Sequence, residues 1–324
     1  MDALELIRKP IEDDLKDYVS LFEADFSSEN PLLHTALQHI LKRPGKRLRP
    51  IMALLSARIT GQVSNLVLHA SVGLELLHTA SLVHDDIVDE SDMRRGQQSL
   101  NKFLNAQSSV LVGDYLLSRA LLHSSYTDNI QVVIRLSLLG QSLANGELLQ
   151  LYNTDSETID EDSYYEVLRH KTASLFAAAG EIGSMLSGAT KEQTEALRSY
   201  GENLGMCFQI RDDIFDYYSA KKIGKPTGND MMEGKLTLPI IYAINTTDND
   251  EMRALAIKVR QRLASLEEIA KLQSFAIENG GIEYAKTKMK TFADQAINVL
   301  NIFPDSPYKE SLLLFAKFVV ERDF

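Results

Sequence analysis

Residues 67–89 read VLHASVGLELLHTASLVHDDIVD. Val67, Ala70, Leu74, Leu77 and Ser81 recur at steps of three and four, the spacing of one helix face. The run ends on two adjacent aspartates and a third. Further along, Val133, Leu136, Gly140, Leu143 and Glu147 keep the same period. The eight prolines stand at 10, 31, 44, 50, 226, 239, 304 and 307, so none falls between Pro50 and Pro226. A proline-free stretch of that length suits long helices, because proline breaks a helix interior. Alternating β-branched runs are scarce. These patterns predict an all-α protein, with helices through most of residues 32–320 in a single domain over 1–324. One segment reads as a loop: Ser219 to Pro239, SAKKIGKPTGNDMMEGKLTLP, with three glycines, two prolines and four lysines.

Composition narrows the function. Hydrophobic residues make up 44% and charged residues 24% of the 324, the balance of a globular protein with a sizeable core. The net charge of -11 argues against nucleic-acid binding, which needs a basic face. It leaves room for a local cationic pocket. A single cysteine, Cys207, cannot form an internal disulfide. Met1 to Lys16 mixes acids and bases without an apolar core, and no run of 18 uncharged apolar residues occurs. The expectation is a cytoplasmic protein with no integral membrane segment.

Two clusters carry the chemistry. Asp85, Asp86 and Asp89 lie in HDDIVDE, and Asp212, Asp213 and Asp216 lie in RDDIFDY. Both read D-D-x-x-D in apolar helical sequence. Residues four apart share a helix face, so Asp85 pairs with Asp89 and Asp212 with Asp216. The middle members, Asp86 and Asp213, point about 100° away. Magnesium is commonly held by one or two carboxylates together with substrate phosphates, which such pairs can supply. Clustered carboxylates repel and are costly without cations.

Cationic residues flank them. Gly45 to Pro50 reads GKRLRP, in which Lys46 and Arg49 share a face if the segment is helical. Arginine's planar fork of donors matches phosphate oxygens. Arg94 and Arg95 follow the first cluster, one for each of two anionic ligands. Lys225 and Lys235 lie in the loop. His78 precedes Asp85 by seven residues, on nearly the same helical face.

Taken in order, GKRLRP, His78, DDIVDESDMRRG, Lys171-Thr172, QIRDDIFDY, GKPTGND and EGKLTLP resemble the trans-isoprenyl diphosphate synthase family. The resemblance covers residues 30 to 240 directly. It implies a helical bundle around a deep central cavity, usually a homodimer. It also implies condensation of isopentenyl diphosphate with an allylic diphosphate, farnesyl diphosphate favoured. The steps are ionisation of the allylic substrate, attack by the homoallylic double bond, and proton loss to the released diphosphate. By the same resemblance Lys46, Arg49, His78 and Arg95 form the isopentenyl diphosphate site. Asp85, Asp89, Asp212 and Asp216 are Mg2+ ligands. Arg94, Lys171, Thr172, Gln209, Lys225 and Lys235 contact the allylic diphosphate and its metals. Family members that stop growth early carry bulky residues four and five positions before the first cluster. Here those positions are Ser81 and Ala80, both small. Leu136 is the candidate floor of the cavity. The expected product is hexaprenyl to decaprenyl, with octaprenyl the best single length. The alternatives are a short-chain farnesyl or geranylgeranyl synthase, a terpene cyclase or head-to-head synthase, and a non-catalytic subunit of a heteromeric synthase.

Overall fold

The computed structural model describes residues 2–154, 156–218 and 228–321. Within them the chain is almost entirely helical, as the proline spacing predicts. The helices are α1 (Ala3–Arg8), α2 (Glu12–Ala24), α3 (Pro31–Leu41), α4 (Leu48–Thr60), α5 (Asn65–Val88), α6 (Leu100–Phe103), α7 (Ala106–Ser125), α8 (Ile130–Thr154) and α9 (Glu161–Leu168). They continue with α10 (Ser174–Met185), α11 (Lys191–Phe215), α12 (Asn229–Met232), α13 (Leu238–Thr246), α14 (Asp250–Arg260), α15 (Leu266–Glu278), α16 (Gly281–Val299) and α17 (Pro307–Glu321). Prolines sit where a missing N–H is harmless, in the first turns of α3, α4, α13 and α17. Asn30 caps α3, accepting from the amides of Leu32 and Leu33 at 3.0 and 3.2 Å.

The described residues form two compact units. The first takes in Met1–Leu143, Ser174–Gly201 and Val299–Phe315; the second takes in Ala144–Ala173, Glu202–Asn298 and Ala316–Phe324.

In the first unit α5 is the central helix. Val72, Leu74, Leu76 and Leu77 are buried, each contributing roughly 1.5–3 kcal/mol by leaving water. Helix α7 runs antiparallel to it, with Gly73 against Ala120 and His123 and with His84 near Val110. The buried Asp25 at the end of α2 lies 2.7 Å from His123 Nε2 and also pairs with Arg119, tying α2 to α7. Helix α10 reaches α4 because Gly183 has no side chain. A Cβ there would lie 2.2 Å from the Ala53 carbonyl oxygen.

Among the described residues α5 is the one helix long and apolar enough to cross a bilayer. It is mostly buried against its neighbours and carries Glu75, His78, Asp85 and Asp86.

In the second unit α13 to α16 surround a core that includes Ile240, Ile244, Leu272 and Met289. Tyr242 stacks on Tyr284 at 4.0 Å, and the Tyr284 hydroxyl donates to Glu161 at 2.7 Å. A π-helical turn, Arg169–Ala173, links α9 to α10. Such turns are rare and recur at functional sites.

Candidate active site

The first aspartate cluster closes α5. Asp85 and Asp89 are half-buried on one face, with the Asp89 amide bonded to the Asp85 carbonyl at 2.8 Å. Asp86 is buried and turned away. It accepts from Arg94 Nε at 2.8 Å, and its carbonyl accepts from Asn101 at 3.2 Å. Burial works against the Arg94 charge, but the pairing with Asp86 outweighs it and raises the guanidinium pKa further. The cluster thus divides as helix geometry predicts, into an outward pair and an inward member.

Arg94 reaches Asp86 because residues 93–98 fold back as a two-stranded hairpin, β1 (Met93–Arg94) and β2 (Gln97–Gln98). Its two-residue turn is Arg95–Gly96, with φ of 51° and 74°. Positive φ at both positions is the turn that matches strand twist, and it explains the glycine after the two arginines. The turn sends Arg95 the other way. The Arg95 guanidinium lies on the backbone at Gly45, where a Cβ would stand 2.7 Å from Nη2. Arg95 Nη1 also donates to the Arg43 carbonyl at 3.3 Å.

The GKRLRP segment is not one helical face. Helix α4 starts at Leu48, and Arg47 before it has φ of 55°. Lys46 stands outside the helix, so the shared face expected of Lys46 and Arg49 does not form. The left-handed residue turns the chain between them. Arg49 packs over the Phe176 ring at 5.2 Å, a cation–π contact. His78 is buried on α5, and its Nδ1 has no hydrogen-bond partner among the described residues. Burial, then Arg49, Arg95 and Arg94, hold the imidazole pKa well below its usual value, so the ring is neutral near pH 7. The first unit therefore brings Arg49, His78 and Arg95 into one electrostatic neighbourhood.

The small positions also lie here. Ala80 is fully buried, and the half-buried Ser81 donates from Oγ to the His78 carbonyl at 2.9 Å. One turn further from Asp85, Leu77 faces Gly140, with 3.6 Å between Leu77 Cδ1 and a Cβ built there. A turn below that, the buried Leu136 faces Gly73 at 3.4 Å. Gly73 is twelve residues before Asp85, about 18 Å along the helix.

In the second unit the π-helical turn presents Lys171 and Thr172. Lys171 Nζ donates to Gln150 Oε1 at 3.0 Å and forms an ion pair with Glu147. Thr172 Oγ1 donates to Gln209 Oε1 at 2.8 Å. Gln209 Nε2 then donates to Asp213 Oδ1 at 2.8 Å, and Tyr164 donates to Asp213 Oδ2 at 2.6 Å. Burial pushes the Asp213 pKa up to about 7. Tyr164 and Gln209 oppose the rise, while Asp212 and Asp216 add to it.

Asp212 and Asp216 are half-buried. Asp216 accepts the amides of Asn229 and Asp230, at 3.0 and 3.1 Å, from the first turn of α12. Each carboxylate oxygen keeps a lone pair for a cation. Each outward pair thus offers oxygen donors of the kind a hard divalent ion takes, with its middle member otherwise engaged. Lys235 donates to Glu233 at 2.7 Å. Lys225 lies outside the described residues.

Some residues of the site carried little sequence signal. Tyr164 is one of two adjacent tyrosines far from the motif it buttresses. Glu147 and Gln150 read as members of an apolar stripe but partner Lys171. Asp230 sits beside Asp213 and Asp216, with burial and both neighbours holding its carboxyl pKa well above the usual range. The GND run inside the lysine-rich segment was its only trace.

The polyprenyl synthetase family model matches residues 30–275. The chain is 35% identical over 323 residues to octaprenyl diphosphate synthase of Escherichia coli, covering 99% of both proteins. It is 44% identical to a geranylgeranyl pyrophosphate synthase of Bacteroides thetaiotaomicron whose crystal structure superposes with a TM-score of 0.88, covering 99% of this chain and 100% of the other. A polyprenyl synthase of Caulobacter crescentus, crystallised with calcium and isoprenyl diphosphate, is 32% identical with a TM-score of 0.92 over 99% and 98% of the two chains. Given these matches and the two aspartate clusters in their helical setting, the chain belongs to the polyprenyl synthetase family, whose members are divalent-metal-dependent trans-prenyltransferases acting on isoprenyl diphosphates.

Proposed function

We propose that this prenyl diphosphate synthase adds isopentenyl diphosphate units to farnesyl diphosphate and stops at a medium-to-long all-trans product, octaprenyl diphosphate favoured. The observation that carries the length is the face of α5 below Asp85. Ala80 and Ser81 fill little volume, and the first large side chains beyond them are Leu77 and then Leu136, about 18 Å from the metal-binding end. The octaprenyl synthase relative supports this reading. Geranylgeranyl diphosphate is the second reading, favoured by the 44% identity to a geranylgeranyl synthase. Chromatography of products formed from isopentenyl and farnesyl diphosphates with magnesium decides between them.

In the proposed mechanism Lys46, Arg49, Arg95 and neutral His78 hold isopentenyl diphosphate. A neutral imidazole donates a hydrogen bond to an anion without needing to be charged in a buried place. Lys171, Thr172, Gln209 and Lys235 orient the allylic diphosphate. Lys171 is held by Glu147 and Gln150 and so needs little reorganisation to meet phosphate oxygens. Magnesium held by Asp85, Asp89, Asp212 and Asp216 would neutralise charge growing on the departing diphosphate. Ala80, Ser81 and Leu77 offer the hydrocarbon tail a wall of two small side chains and one apolar one. A homodimer is part of the proposal. It is supported by exposed apolar side chains on α7 (Val110, Leu111, Leu121) and α8 (Ile130, Ile134, Leu138).

A further inference from the structure

We propose that His39 is a positioning residue: with Gln97 it clasps the β-hairpin to α3 and so sets where Arg95 meets isopentenyl diphosphate. The inference rests on the assignment of that substrate to Arg49, His78 and Arg95, and deepens it.

Each strand of the hairpin is two residues long, and so short a ribbon does not hold its own shape in water. It needs anchors on the helices around it. Strand β1 has one on α5, where Arg94 meets Asp86. Strand β2 has its anchor on α3. His39 Nε2 lies 2.8 Å from the Gln98 carbonyl oxygen. That oxygen can only accept, so Nε2 carries the proton and donates. In return, Gln97 Nε2 donates to the His39 carbonyl at 3.0 Å. The His39 ring is 8% exposed and stacks on Phe103 of α6, with centroids 4.1 Å and planes 7° apart. The stack fixes the ring plane and with it the direction of the N–H.

The clasp grips the hairpin beside its turn. Gln98 pairs with Met93 and Gln97 with Arg94, which leaves Arg95 and Gly96 as the turn itself. The left-handed φ of Arg95, 51°, is unfavourable for a residue with a side chain, and it persists where the surroundings enforce it. Arg94 is locked by a carboxylate, whereas Arg95 reaches the Arg43 carbonyl at a long 3.3 Å. Its direction therefore follows the hairpin backbone. Packing does not replace the clasp. Between the hairpin, α3 and α5 lies a cavity of about 50 Å³, lined in part by Arg43, Thr79, Leu82 and Arg95, so the hairpin does not rest on filled space.

Two variants make the test. His39→Phe keeps a ring against Phe103 and removes the donor. His39→Gln removes the ring and keeps an amide donor at about the same reach. Initial rates are measured with isopentenyl and farnesyl diphosphates, each varied in turn. His39→Phe should raise the KM for isopentenyl diphosphate about fivefold, the net effect of one hydrogen bond. The farnesyl KM and kcat should stay within about twofold of wild type, because Asp86 still holds Arg94. His39→Gln should return the isopentenyl KM to within about twofold of wild type, whereas a pure packing role predicts the opposite order. In an Arg95→Ala background His39→Phe should add little, because it acts through that arginine. An unchanged isopentenyl KM in His39→Phe, equal rises in both KM values, no rescue by His39→Gln, or fully additive effects overturn the proposal. Arg95→Ala alone separates the two layers. If it leaves the isopentenyl KM unchanged, the substrate assignment is wrong and the proposal falls with it. If it raises that KM while His39→Phe does not, only the role of His39 falls. Should His39→Phe not fold, Gln97→Ala cuts the same clasp from the hairpin side. It should raise the same KM, and no rise overturns the proposal equally.

Discussion

Asp86 accepts two hydrogen bonds from Arg94, from Nε at 2.8 Å and from Nη2 at 2.5 Å, and this pair divides the first aspartate cluster into two kinds of residue. Asp85→Ala and Asp212→Ala should each cut kcat by at least about a hundredfold, the loss seen when one electrostatic contact to a transition state is removed. Neither should lower the melting temperature without divalent ions, because each relieves like-charge repulsion. Asp86→Ala should do the reverse. It strands Arg94 and should cost about 1–3 kcal/mol of stability. Thermal melts and saturating-magnesium kinetics on the three variants check this. Near-normal turnover in Asp85→Ala or Asp212→Ala would remove the basis for the metal assignment.

His78 makes stability depend on pH. Its pKa is depressed in the folded state, by burial first and then by three arginines. The unfolded chain therefore binds a proton below about pH 6.5 that the folded chain refuses. Stability is fully present above that pH and falls as acid is added, by up to about 1.4 kcal/mol per pH unit from this group until the folded pKa is reached. Urea melts between pH 7.5 and 5 should show a shallower slope for His78→Gln than for wild type. Equal slopes would mean the imidazole is charged or exposed in the folded protein.

Gly45 shapes the proposed isopentenyl diphosphate site through Arg95. A methyl group at Gly45 would stand 2.7 Å from Arg95 Nη2, and the flexible arginine can swing aside. Gly45→Ala should thus leave the melting temperature almost unchanged while raising the isopentenyl diphosphate KM about tenfold, one charged hydrogen bond's worth. A large loss of stability with an unaltered KM would show that the glycine serves the backbone instead.

The all-α fold was legible because its signals are local. Proline placement at helix starts and a three-to-four period through 67–89 both report on single helices, and tertiary packing did not override them. The division of each aspartate cluster followed from helix geometry alone. Other parts depended on contacts between residues distant in sequence. Tyr164 supports Asp213 from another helix, and Arg95 returns to the backbone at Gly45 and Arg43. The role of RRG was legible as charge, but the left-handed turn that sends Arg94 to Asp86 and Arg95 to Gly45 was not. Lys46 and Arg49 misled for a related reason. Their spacing suits a helix, yet the helix begins between them after a left-handed Arg47.

Chain length should answer to Ser81 and Leu136 in opposite senses. Ser81 is half-buried one turn below Asp85, about 6 Å along α5, whereas its neighbour Ala80 is fully buried and has no space to grow. Ser81→Phe is therefore the better probe of the two. Its ring should occupy volume that units beyond the fourth require, ending growth near geranylgeranyl diphosphate. The first condensation should survive, since none of the cationic residues is altered. Leu136 lies two turns deeper than Ser81, against Gly73, and is 1% exposed. Leu136→Ala should lengthen the product if the space stays open, at about 2–5 kcal/mol of stability, the usual loss for a buried leucine. The two outcomes are independent. An unshortened product from Ser81→Phe at a comparable rate would mean that the tail does not pass this face of α5. An unchanged distribution from a folded Leu136→Ala would leave the path in place but put its floor elsewhere.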